Sequence, residues 1–77
     1  MTVLVTGADQ RQGLAIIRAL GLAGISVIAC GPHARSMGFY SRFATQSFRY
    51  TPPFRDAHRF VDDILAIVRR TRPALIL

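Results

Sequence analysis

The chain contains no lysine and no glutamate: its ten basic side chains are all arginines and its four acidic ones all aspartates. General acid-base groups and Mg²⁺-binding carboxylates are therefore scarce, which argues against phosphoryl transfer by these residues alone. There is a single cysteine, Cys30, set in an apolar run. An internal disulfide is thus excluded, and a reduced core thiol is expected. His33 and His58 have no companion at metal-ligand spacing, so no metal site is expected. No stretch approaches the roughly 20 apolar residues of a membrane span, and no basic segment precedes the first apolar run as a signal peptide requires. A cytoplasmic protein without a membrane partner is the expectation.

What is present is apolar and basic. Hydrophobic residues make up 51% of the 77, rich for a chain so short that it buries only roughly 60% of its unfolded surface. The net charge is +6, which raises nucleic acid as a partner. The arginines, however, are spread from Arg11 to Arg72, and only Arg69-Arg70-x-Arg72 is dense. Arginines in the last turn of a helix complement its negative end without any partner. Phe39, Tyr40, Phe43, Phe48 and Tyr50 are read as packing residues in preference to a base-stacking set.

Thr2 to Thr6 is a β-rich apolar run without clean alternation, as expected of a strand (β1) buried on both faces of a parallel sheet. Gly13 to Ala23 carries two adjacent apolar stripes, Leu14, Ile17, Gly21 and Ile16, Leu20, Ala23, and Gly24 supplies a left-handed stop. This is α1. Ile25 to Cys30 is a second buried strand, β2, ended by Gly31-Pro32. Ser47 to Tyr50 alternates well enough for a short strand, β3, stopped by Pro52-Pro53. Asp56 is the expected N-cap of α2, in which Ala57, Phe60, Val61, Ile64, Leu65 and Val68 recur at offsets of three and four. Pro73 ends that helix near Thr71, and β4 starts at Ala74. The order β-α-β-(β)-α-β predicts a small Rossmann-like parallel α/β sheet with β1 central and its helices on opposite or adjacent faces. Ala74-Leu75-Ile76-Leu77 reads as the middle of a buried strand, so residues 1–77 are expected to be one truncated domain, incomplete at its C-terminus and prone to self-association.

The richest segment is Val3-Leu4-Val5-Thr6-Gly7-Ala8-Asp9-Gln10-Arg11-Gln12-Gly13-Leu14. A strand enters a glycine-bounded turn and leaves directly into a helix, so the turn amides and the helix N-terminus are expected to face outward as anion donors. Gly7, Ala8, Asp9, Gln10, Arg11 and Gly13 form the candidate ligand loop. Arg11 offers a guanidinium fork for a carboxylate or phosphate, and Asp9 is expected to close a turn with its own side chain. A dinucleotide fingerprint carries a middle glycine and an acidic residue at the end of β2. Neither is here, since Ala8 to Gln12 separate the glycines and Cys30-Gly31-Pro32-His33 follows β2. Arg35 keeps open an NADP-dependent dehydrogenase or epimerase-like reading through a 2′-phosphate.

The chain resembles the N-terminal, pre-ATP-grasp domain of ATP-grasp ligases, especially the group related to the large chain of carbamoyl-phosphate synthase. The resemblance is carried by Val3-Leu4-Val5-Thr6-Gly7-Ala8, Gly13-Leu14-Ala15-Ile16-Ile17-Arg18-Ala19-Leu20, Gly31-Pro32-His33-Ala34 and Tyr40-Ser41-Arg42-Phe43. It continues through Phe48-Arg49-Tyr50-Thr51-Pro52-Pro53, Phe60-Val61-Asp62-Asp63-Ile64-Leu65 and Arg72-Pro73-Ala74-Leu75-Ile76-Leu77, and so spans essentially the whole sequence. It implies a downstream ATP-grasp domain holding ATP and Mg²⁺, which would activate a carboxylate as an acylphosphate and pass it to an amine. The present domain would then shape the substrate side of the cleft, with no catalytic residue of its own. His33, just after β2, and Ser41 and Arg42, within the resembling segment, are the candidate contacts to a small carboxylate or amine substrate.

Overall fold

Successive side chains of a strand point to opposite faces, and in this chain both faces are apolar. A computed structural model describes residues 1–33, 36 and 41–77. In β1 (Thr2–Val5), Val3 and Val5 enter one core cluster and Leu4 the other. β2 (Ser26–Gly31) repeats the split, with Val27 and Ala29 on the first side and Ile28 and Cys30 on the second. The helix α1 (Arg11–Leu22) seats Ile17 and Leu20 on the first face, and α2 (Ala57–Thr71) seats Ile67, Phe60, Ile64 and Val68 on the second. Two helices thus cover opposite faces of one sheet, the layering a parallel α/β domain requires.

The sheet runs β3-β2-β1-β4 and every pairing is parallel, with β3 at Ala44–Arg49 and β4 at Leu75–Ile76. The fold is therefore a small Rossmann-like α/β sheet with β1 inside. The chain builds outward from β1 through β2 to β3, then returns to pair β4 on the other side of β1. That reversal places a topological switch point beside the carboxyl end of β1, the end at which open α/β sheets place their ligands.

Local chemistry sets the element ends. α1 closes in a Schellman motif: Gly24, at φ 78°, donates to the Gly21 carbonyl and Ile25 to the Leu20 carbonyl, both at 3.0 Å. Leu20 and Ile25 pack on the same cluster, adding the apolar contact that accompanies this stop. The Asp56 carboxylate caps α2 by accepting from the Arg59 amide at 3.1 Å. At its far end Arg69 and Arg70 occupy the last turn, where positive charge complements the helix dipole.

Some expectations shift. β3 runs Ala44–Arg49 in place of Ser47 to Tyr50, starting three residues earlier and ending one sooner; its Thr45, Gln46 and Ser47 are exposed, and a polar edge strand has no apolar pattern to announce it. Between Val27 and Ile28 the β2-β3 register slips by one residue, and the Thr45 hydroxyl donates to the Val27 carbonyl at 2.8 Å across the irregularity. The apolar face of α1 is narrower than the two stripes suggested, because Ile16 and Ala23 are exposed. On α2 the deepest residue is Ile67, outside the expected set, while Val61 and Leu65 stay about half exposed.

Candidate ligand site at the carboxyl end of the sheet

Gly7 leaves β1 with φ 69°, a backbone conformation costly for any residue with a Cβ. The turn it starts is closed by the Gln10 amide donating to the Gly7 carbonyl at 3.0 Å, so the backbone does the work expected of the Asp9 carboxylate. The Ala8 amide donates to the Cys30 carbonyl at 3.0 Å, which ties the turn to the end of β2 and buries Ala8 completely. The Gly7 amide donates to the Tyr50 hydroxyl at 3.1 Å. Three amides of the loop are therefore already engaged, contrary to the expectation of an outward-facing row of donors.

The helix start is the part that faces out. α1 begins after Gln10, whose side chain makes no cap, and no acidic residue lies in the first turn. The first amides of a helix have no partner within it, and here no side chain among the described residues supplies one. Gly13 packs directly on the Gly7 carbonyl, where a Cβ would collide with backbone. The absence of a side chain at Gly13 thus permits the close approach of α1 to the turn. Arg11 and Gln12 are exposed beside it. A cleft of about 360 Å³ opens there, lined by Thr6, Gly7, Gln10, Gln12, Gly13 and Ile16, with Tyr50, Pro53 and Phe60 across it.

A second cavity, of about 630 Å³, lies over the carboxyl ends of β2 and β3 and the first turn of α2. His33 is exposed on it, and Arg49, Arg55 and Arg59 line it together with Asp56 and Asp63. Asp63 accepts from the Thr51 amide at 2.7 Å; bonds from the Thr51 side chain and backbone hold its carboxyl below the ordinary range. Tyr50 forms a wall of both cavities. Its ring meets Phe60 edge-on at 5.2 Å, and burial raises its phenol above the ordinary value against the opposing effect of the Gly7 hydrogen bond.

Of the candidate substrate contacts, His33 joins the carboxyl end of the sheet and the other two do not. Ser41 and Arg42 precede β3 and so lie at the amino end of a wholly parallel sheet. There the Ser41 hydroxyl accepts from the Phe43 amide at 3.2 Å and the Arg42 guanidinium sits 4.8 Å above the Phe43 ring. Arg35, on which the NADP reading rests, and Phe39 and Tyr40 fall outside the described residues. Phe43 packs on one sheet face and Phe48 and Tyr50 on the other, so these rings do not share a stacking platform.

Burial pushes the Cys30 thiol up to about 12, which makes it an inert core group at neutral pH. Among the described residues no group of His, Cys, Asp and Glu is placed to hold a metal ion, and no helix is long and apolar enough to cross a membrane. Tyr50 and the Arg49, Arg55, Arg59 set were missed as site residues in the sequence. Their only signal was position at the end of β3 and around the start of α2, the end at which parallel sheets gather ligand contacts. Compared with protein-family models, curated proteins and solved structures, the chain matches none.

Proposed function

We propose that the chain is a ligand-binding Rossmann-like domain forming the substrate side of an ATP-dependent carboxylate-amine ligase, and that it performs no chemistry alone. The observation that favours this over the dehydrogenase reading is the Tyr50 hydroxyl on the Gly7 amide, at 3.1 Å. A dinucleotide fold keeps that part of the loop open for a pyrophosphate. In this chain the amide is occupied and the Ala8 amide is bound to β2. What stays available is the uncapped start of α1 with Arg11 beside it, a place for a carboxylate or phosphate head.

The described residues supply neither lysines for a triphosphate nor a carboxylate cluster for Mg²⁺. ATP and Mg²⁺ belong, on this reading, to a downstream ATP-grasp domain of the same polypeptide. The reading frame beyond Leu77 tests it. A continuation of roughly 200 or more residues is expected, enough for one further domain of ordinary size. It should carry a lysine in each ATP-binding subdomain and closely spaced Glu and Asn residues. A frame that closes at Leu77 and yields a soluble monomer overturns the ligase, and saturable binding of NADPH to the purified chain overturns it in favour of a dehydrogenase.

A further inference from the structure

The larger cavity has a composition that the ligase reading does not use. Arg49 is the last residue of β3, Arg55 lies in the turn after Pro52-Pro53, and Arg59 is in the first turn of α2. Three consecutive pieces of chain thus deliver three exposed guanidinium-bearing side chains to one concavity. The turn that carries Arg55 is well held, since the Arg55 and Asp56 amides both donate to the Pro52 carbonyl, at 3.0 and 3.2 Å.

The acidic residues of the cavity have structural duties. Asp56 accepts from the Arg59 amide and Asp63 from the Thr51 amide, so each carboxylate caps backbone that would otherwise be unpaired. Three permanent positive charges against two carboxylates leave the cavity cationic. Other arginines of the chain have visible packing roles: Arg42 and Arg70 lie over the Phe43 and Phe48 rings at 4.8 and 5.7 Å. The cavity volume of about 630 Å³ falls in the range of small-molecule sites. Guanidinium groups remain charged at any ordinary pH and present a planar donor fork that matches an oxyanion.

We propose that this cavity binds the oxyanion head of a small polar metabolite, a phosphate monoester or a carboxylate, through Arg49, Arg55 and Arg59. The site is separate from the start of α1 and stands whether or not the chain belongs to a ligase.

Titration of the 77-residue chain with inorganic phosphate, and separately with succinate, at constant ionic strength and followed by amide NMR, tests it. Saturable shifts centred on Thr51, Arg55 and Arg59 are expected, weakened at least tenfold in the Arg49→Gln, Arg55→Gln double variant and unchanged in Arg18→Gln, at an exposed position of α1. Saturation by phosphate alone identifies a phosphate ester as the source of the head group, and saturation by succinate identifies a carboxylate. Either supports the site, provided that the double variant weakens it. Because the replaced side chains are exposed, the variant is expected to keep the wild-type spectrum away from the cavity. Shifts that never saturate with either anion, or that persist at full strength in the double variant, overturn the proposal. An effect equal in Arg18→Gln and in the double variant does so too, since it would report only the net charge of the chain.

Discussion

A methyl group at position 13 has nowhere to go, because the Gly7 carbonyl and the Ala8 Cα occupy the space it needs. Both obstacles are backbone, so relief would mean moving α1 off the turn. Gly13→Ala is expected to cost about 2 kcal/mol, in the range of overpacking substitutions, lowering the melting temperature by several degrees. Gly7→Ala meets no neighbour and loses only through its positive φ, at about 1–2 kcal/mol. Thermal unfolding of the two variants should therefore show comparable losses with different repairs: Asn at position 7 recovers part of the loss, and no side chain does so at position 13. Cys30 gives a pH prediction. Its folded thiol keeps a proton to about 12 while the ordinary value is 9.0. The associated stability is complete below pH 9 and is lost as pH rises toward 12. A urea midpoint that falls across that window, less steeply in Cys30→Ala, is expected, together with thiol labelling that requires denaturant.

At the scale of elements, the ends of α2 contrast. Asp56→Ala removes a cap and should cost about 1 kcal/mol. Arg72, at φ 48° and followed by Pro73, is the non-glycine residue held in the left-handed region among the described residues. Arg72→Gly is expected to stabilise by about 1 kcal/mol, read as a rise in melting temperature. Acid works on the same helix: lowering the pH through the depressed Asp63 value removes the acceptor for Thr51, so the share of stability it contributes is present at neutral pH and lost below. The caps, the glycine stop of α1 and the two-faced strands were legible because each is a local rule written in a few adjacent residues. The Tyr50 to Gly7 bond, which joins residues 43 apart in sequence, was not, because pairing across the sheet is settled by register and not by neighbours. β3 was half legible, since its ladder partner is apolar and its own outward face is free to be polar. The separation of Ser41-Arg42 from His33 rests on β3 pairing parallel to β2, which sets the start of β3 and the end of β2 at opposite ends of the sheet.

For the whole molecule, stability is graded across the sheet. β1 and β2 share four aligned pairs and are buried on both faces, whereas β4 contributes two pairs and its Leu75 and Ile76 are about half exposed. Native-state hydrogen exchange should find the slowest amides in β1 and β2, with those of β4 opening in local events. Charge is also divided: Arg49, Arg55 and Arg59 gather at the carboxyl end of the sheet and Arg69 and Arg70 at the last turn of α2. A nucleic-acid footprint wants one continuous stripe, so only weak, unselective binding to duplex DNA is expected at physiological salt. Tyr50 adds a property that neither cavity has alone. Because one ring is a wall of both, any occupant that displaces it on one side changes the affinity of the other, and thermodynamic linkage makes the influence equal in both directions. Two anions bound to this small chain would thus be coupled through a single hydroxyl, and Tyr50→Phe, which leaves the ring and removes its bond to Gly7, would change that cooperativity while sparing the cavity arginines.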